Sequence, residues 1–143
     1  MRQAHGSIQF RTPGRGLHCC PREVERWLQE AARPGPEGGL LTLFIQHTSA
    51  SLLVQENADP DVRADLDRWL SRLVKDGDPL FEHTAEGPDD MPAHVKAVLV
   101  GPSLTLPIAR GRLDLGTWQG VYLLENRHHG GARSMTATLH GED

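Results

Sequence analysis

The sequence predicts an α+β fold: a largely antiparallel β-sheet or sandwich with two to three helices, in a single domain over residues 1–143. Two observations carry that reading. Strand-like segments interleave with stretches of helical apolar spacing, and the C-terminal half is rich in strand signals. Length bounds it, because 143 residues suit one domain and can bury a core without a disulfide or metal as staple.

Ser7-Ile8-Gln9-Phe10-Arg11 alternates like a half-buried strand, and Gly14-Arg15-Gly16 breaks it. Pro21 suits a first helical turn, where its missing N–H costs nothing; Val24, Trp27, Leu28 and Ala31 form the apolar stripe behind it. Arg33 to Gly39 reads as an exposed loop. Leu40 to Gln46 reads as a central strand, apolar and therefore covered on both faces. Ser51 to Gln55 makes a second short strand. Asp59-Pro60 starts a helix, with Val62, Leu66, Trp69, Leu70 and Leu73 as its buried stripe and Gly77 beyond its end. Residues 76–92 are polar and aperiodic, and so long a loop in a compact domain is usually functional or mobile. Pro92 opens a short helix carrying His94, Val95, Val98 and Leu99, stopped at Gly101. Leu104 to Ile108, a turn at Gly111, Gly120 to Leu124 and Ser134 to Leu139 complete the strands.

Composition narrows the function. A net charge of −4, a pI near 6.0 and no long basic run argue against a nucleic-acid partner. No segment has the run of about 20 apolar residues that spans a bilayer. Cys19 and Cys20 are neighbours, which a disulfide bridges only through a strained ring, so free thiols in a reducing compartment are expected. The first residues lack a secretory apolar stretch, and a cytoplasmic protein is expected.

Eight histidines exceed what packing needs. His47 closes an apolar strand, while His83 and His94 lie in a region dense in Asp and Glu. Neutral imidazole is the commonest ligand for zinc-like metals. Yet the spacing matches no local metal signature, and each ring could equally serve a local cap. Glu56, Asn57, Asp59, Asp65, Glu82, Asp89 and Asp90 are candidate bases or partners of ligating imidazoles, with Asp59 already explained as a helix cap. Ser49 and Ser51 beside His47 lack a nucleophile elbow. Arg127 to Arg133, with Gly130 and Gly131, is the locally cationic segment, and Arg110 and Arg112 are candidates to join it; guanidinium forks suit phosphate. Trp118, set between Gly116 and Gly120, suits stacking on a ring or a place in a core.

Read together, these segments resemble the YjbQ-like family, also labelled secondary thiamine-phosphate synthase. The matching stretches are Gln46-His47-Thr48-Ser49-Ala50-Ser51, Glu56-Asn57 with Asp59-Pro60, Glu82-His83, Gly87 to His94, Leu106-Pro107, Gly111-Arg112, Gly116 to Gly120, and Glu125-Asn126-Arg127 through Gly131. They run in unbroken order over nearly the whole chain; Asn126 departs from the pattern, and its role is open. The resemblance implies an α+β homotrimer with His47, His83 and His94 as ligands of a divalent metal, zinc first and magnesium second. It implies a transferase that joins a pyrimidine pyrophosphate to a thiazole phosphate. In that reading Glu56 or Asp90 moves the proton, while Asn57, Arg112, Trp118, Gln119, Arg127 and Arg133 bind the small-molecule substrate. Pyrophosphate chemistry usually employs magnesium on oxygen ligands, whereas imidazoles favour zinc. That mismatch makes a metal-dependent hydrolase of a small phosphorylated or amide compound the alternative, and a non-catalytic metal- or ligand-binding trimer the third reading.

Overall fold

A computed structural model describes residues 2–31 and 37–142. The elements are β1 (Arg2–Thr12), β2 (Gly16–Cys19), α1 (Pro21–Ala31), β3 (Gly38–Ile45), β4 (Ala50–Glu56), α2 (Pro60–Leu73), α3 (Asp90–Val100), β5 (Ser103–Ala109), β6 (Arg112–Leu113), β7 (Gln119–Glu125) and β8 (Gly131–Gly141). They form two antiparallel sheets, ordered β1-β8-β3-β5-β6 and β2-β7-β4. The α+β expectation is met, with three helices among the described residues. None of them is long and apolar enough to cross a membrane.

The main core lies between the sheets. Leu41, Leu43, Ile45, Leu106, Ile108, Met135, Ala137 and Leu139 from the large sheet meet Leu52, Val121 and Leu123 from the small one, and Cys20, Val24 and Leu28 close one side. On the outer face of the small sheet, Leu17, Tyr122 and Leu124 lie under Leu66 and Leu70 of α2 and Val100 of α3. Strand β7 is therefore buried on both faces, which explains its unbroken apolar run.

Several expectations need correction. The strand expected to be covered on both faces, β3, is covered on one: Leu41, Leu43 and Ile45 point inward, while Leu40 and Phe44 are 49% and 47% exposed. Its outer face is part of a sheet surface left open among the described residues. The expected buried stripe of α2 is only half-buried at Val62, Leu66 and Leu70; Trp69 and Leu73 are exposed, and no α2 residue is fully buried. Helix α3 starts two residues before Pro92, and its Val98 and Leu99 face outward. Strand β2 is an addition to the expected elements: its short pairing with β7 is long-range and leaves no local signature. Of the loop expected from Arg33 to Gly39, residues 33–36 lie outside the described residues, and Gly38 and Gly39 belong to β3. Cys19 and Cys20 are free thiols, and burial pushes Cys20 up to about 12.

Candidate metal centre

The segment after α2 is held by its own turns. Gly77 N–H donates to the Pro88 carbonyl at 3.0 Å, Asp78 Oδ1 accepts from Leu80 N–H at 2.9 Å, and Gly87 N–H donates to the Thr84 carbonyl at 3.1 Å. Gly77 and Gly87 take φ of 69° and 106°, which suits glycine. This closure carries His83 back over the first turn of α3. There Asp90 and His94 share one helix face, because residues four apart are neighbours.

Three side chains meet at this point. Asp90 Oδ2 lies 2.6 Å from His83 Nε2 and 3.1 Å from His94 Nε2. The donor atoms of all three lie within 4.8 Å of one another. Asp90 is 2% exposed, while the two rings reach solvent. Its other oxygen, Oδ1, accepts from Arg127 Nη1 at 2.5 Å. Arg127 also donates from Nε to Asp89 Oδ2 at 2.9 Å and from Nη2 to the Glu86 carbonyl at 3.0 Å, and Asp89 Oδ2 accepts from His128 N–H at 3.0 Å. Burial works against charge on both carboxylates. For Asp89, the bonds from His128 and Arg127 hold it down to about 2. For Asp90, the His83 bond and the charges of His94 and Arg127 bring it below its usual value.

The tautomer of His94 tests whether a cation fits. Its Nδ1 faces the Thr48 carbonyl at 2.9 Å, and a carbonyl only accepts, so Nδ1 carries a hydrogen. In the neutral ring Nε2 then presents a lone pair to the carboxylate oxygen of Asp90. Two electron-rich atoms at 3.1 Å call for a positive species, either an added proton or a metal ion. Two imidazole nitrogens and one carboxylate form a donor set that suits zinc or non-haem iron. The residues therefore fit a divalent metal.

The other predicted site residues separate into groups. His47 lies outside the cluster, because its Nε2 accepts from Ser134 N–H at 2.9 Å. Burial, then the nearby Arg133 charge, pulls the basicity of His47 down. His47 and His94 nevertheless line one cleft of about 370 Å³, with Thr48, Ala50, Val98 and Pro102. A second cleft of about 290 Å³, walled by Pro79, Phe81, Met91 and Pro92, opens beside His83. The cluster thus stands between two largely apolar clefts.

Arg127 and Arg133, predicted to hold phosphate, are engaged within the fold. Arg133 Nε and Nη2 donate to the buried Glu125 at 2.7 and 3.0 Å, and Thr12 Oγ1 completes that carboxylate at 2.6 Å. Gly130 serves close packing: a methyl there would sit 2.1 Å from the Thr12 carbonyl oxygen. Glu56, Asn57, Trp118 and Gln119 gather at the other end of the small sheet, about 20 Å along β4 at the usual rise per residue. Glu56 accepts from Asp59 N–H, and Asn57 N–H donates to the Trp118 carbonyl. Arg112 lies at the far end of the large sheet. Asn126 donates its backbone N–H to the Ser49 carbonyl.

Glu125 is a site residue that sequence reasoning overlooks. Its available signal is an acid closing a strand apolar on both faces and followed by Arg127.

These features define a two-sheet α+β protein with a surface cluster of two imidazoles and one carboxylate. The family model of the UPF0047 protein YjbQ-like proteins matches residues 6–142, and the chain belongs to that family. It is 50% identical over 128 residues to the UPF0047 protein YjbQ of Salmonella typhimurium, covering 90% of this chain and 91% of that one. It is 42% identical over 141 residues to the UPF0047 protein sll1880 of Synechocystis, covering 99% and 94%. Among solved structures, a conserved hypothetical protein of Thermus thermophilus superposes with a TM-score of 0.81 at 36% identity, covering 92% and 97% of the two chains.

Proposed function

We propose that this chain is a divalent-metal-dependent enzyme acting on a small molecule at His83, Asp90 and His94. One observation carries the reading: His94 Nδ1 lies 2.9 Å from the Thr48 carbonyl, while its Nε2 converges with His83 Nε2 on one Asp90 oxygen. Zinc is the proposed metal, magnesium being poorly matched to imidazole. A cation held there supplies Lewis acidity for negative charge developing on a phosphate, phosphoryl or carbonyl oxygen.

The chain's own residues set the rest. Arg127 and Asp89 orient Asp90, so Asp90 is a ligand in this proposal rather than a free base. The Thr48 carbonyl fixes the rotation of His94. Pro79, Phe81 and Met91 exclude water from one side and offer an apolar wall to a planar ring.

The reaction the family resemblance implies, joining a pyrimidine pyrophosphate to a thiazole phosphate, remains the transferase reading. A specific observation favours the second reading, a metal-dependent hydrolase. Of the three arginines assigned to phosphate, Arg127 and Arg133 are engaged by carboxylates within the fold, and Arg112 lies at the far end of the large sheet. Incubating the protein with both thiamine precursors, with and without chelator, separates the two: coupling abolished by chelator supports the transferase, and hydrolysis of either phosphate without coupling supports the hydrolase.

We further propose the homotrimer as the working unit. Its support is the bare face of the large sheet, where Leu40, Thr42 and Phe44 stand beside Ser103, Thr105, Thr136 and Thr138 with little charge. Assembly would also give the distant Trp118 group a route to a neighbour's cluster.

The metal test is direct. Elemental analysis of protein prepared without a nickel column is expected to find one divalent ion per chain. It is expected to be lost in His83→Ala and His94→Ala and kept in His47→Ala. Equal metal content in His94→Ala and wild type would end the proposal.

A further inference from the structure

The described residues form a third cleft, this one charged and apart from the metal cluster. It measures about 630 Å³ and lies between α1 and the β5–β6 hairpin, with Arg22, Arg26, Arg110 and Arg112 on its walls. Gln29 Nε2 donates to the Gly111 carbonyl at 3.1 Å, and Glu25 Oε1 accepts from Leu113 N–H at 3.3 Å, so helix and hairpin are tied together. Among the described residues, none of the four guanidinium groups has an ion pair or a hydrogen bond. In a chain of net charge −4, a local excess of four arginines over Glu25 and Glu37 is a focused positive field.

The backbone adds an independent observation. Arg110 has φ of 54°, the sole positive value on a non-glycine among the described residues, and Gly111 follows at 77°. Such a two-residue hairpin turn favours Asn-Gly, because an ordinary side chain in the left-handed region is strained. Arginine holds a place where asparagine fits at lower cost, and strain of that kind gathers at binding sites.

We propose that this cleft binds a compact oligophosphate group on a small molecule. Its volume matches a small-ligand site rather than an extended groove. Glu25 and Glu37 interrupt the positive surface, as a nucleic-acid track would not allow. Strand register separates the cleft from the metal cluster: Arg110 and Arg112 adjoin the Gly38 end of β3, while His47, which lines one cleft with His94 of the cluster, follows its Ile45 end, about 23 Å away at the usual rise per residue. The cleft is therefore a separate site, and its ligand need not be the substrate.

The test is calorimetric titration of the full chain with inorganic tripolyphosphate at low and raised ionic strength. One site per chain is expected, weakened by salt, with about three- to tenfold loss of affinity in each of Arg22→Gln, Arg26→Gln and Arg112→Gln. Arg110→Asn is expected to raise the melting temperature while lowering affinity, a pairing that turn strain alone does not produce. Unchanged affinity in the arginine variants overturns the proposal. So does loss of binding in His94→Ala, which would place the anion at the metal cluster. Citrate binding as tightly as tripolyphosphate overturns the phosphate assignment, and a single-stranded oligonucleotide binding more tightly overturns the small ligand.

Discussion

Asp89 illustrates how single residues hold this site. Its carboxylate, nearly buried, is held by Arg127 and the His128 N–H, and its pKa falls to about 2. A depressed carboxylate stabilises the fold fully above its unfolded value of about 4, and the contribution fades as pH falls toward the folded value. Asp89→Asn should therefore cost about 1–2 kcal/mol at pH 7. The gap between the two proteins in urea melts should narrow from pH 4 downward; a gap independent of pH would refute the linkage. Lys96 presents the opposite case. It is 1% exposed, no ion pair reaches it among the described residues, and burial followed by the Arg15 charge lowers its pKa. Replacing a poorly compensated buried charge with an apolar side chain of similar shape is often stabilising, so Lys96→Met should add about 1–3 kcal/mol by thermal melting.

Among the elements, the junction of β1, β7 and β8 holds the structure next to the cluster. Thr12 Oγ1 donates to Glu125 and accepts from Gly131 N–H at 3.2 Å, and the Gly130 backbone passes tightly against Thr12. Gly130→Ala must push β1 away from β8, and overpacking of this kind costs about 1–3 kcal/mol. Loss of stability by that amount, read by thermal melting, is expected together with loosened Arg133. The elements differ in how plainly the sequence announces them. Helix α2 is readable because its signals are local: Asp59 accepts from Asp61 N–H at 2.9 Å and Pro60 opens the first turn. Strand β2 is not, since its existence depends on pairing with β7 roughly a hundred residues later.

Across the molecule, the bare face of the large sheet is the main unfinished surface. Phe44 and Leu40 project from a central strand rather than an edge, so the exposed apolar area is continuous with Thr42, Thr105, Thr136 and Thr138. A lysine at Phe44 would place an unpaired charge in any copy-to-copy contact there. Light scattering is expected to give three chain masses for wild type and one for Phe44→Lys, with the folded spectrum kept. A trimer that survives Phe44→Lys would move the contact elsewhere, to Trp69 and Leu73 of α2 first.

Local signals along the chain suffice for the α+β class, most of the helices and strands, and the inventory of imidazoles, carboxylates and guanidinium groups. Those follow from apolar periodicity, caps and residue chemistry. Those signals open the third helix at Pro92 and leave Asp90 in the loop; the structure starts α3 at Asp90, which puts Asp90 and His94 one helical turn apart and joins them. It takes the folded chain to bring His83 to this pair and to set His47 aside on a backbone N–H. Folding likewise binds Arg127 and Arg133 to acids while leaving Arg110 and Arg112 on an open cleft. Which charges meet depends on sheet register and on a loop closing from Gly77 to Pro88, long-range contacts that no window along the chain contains.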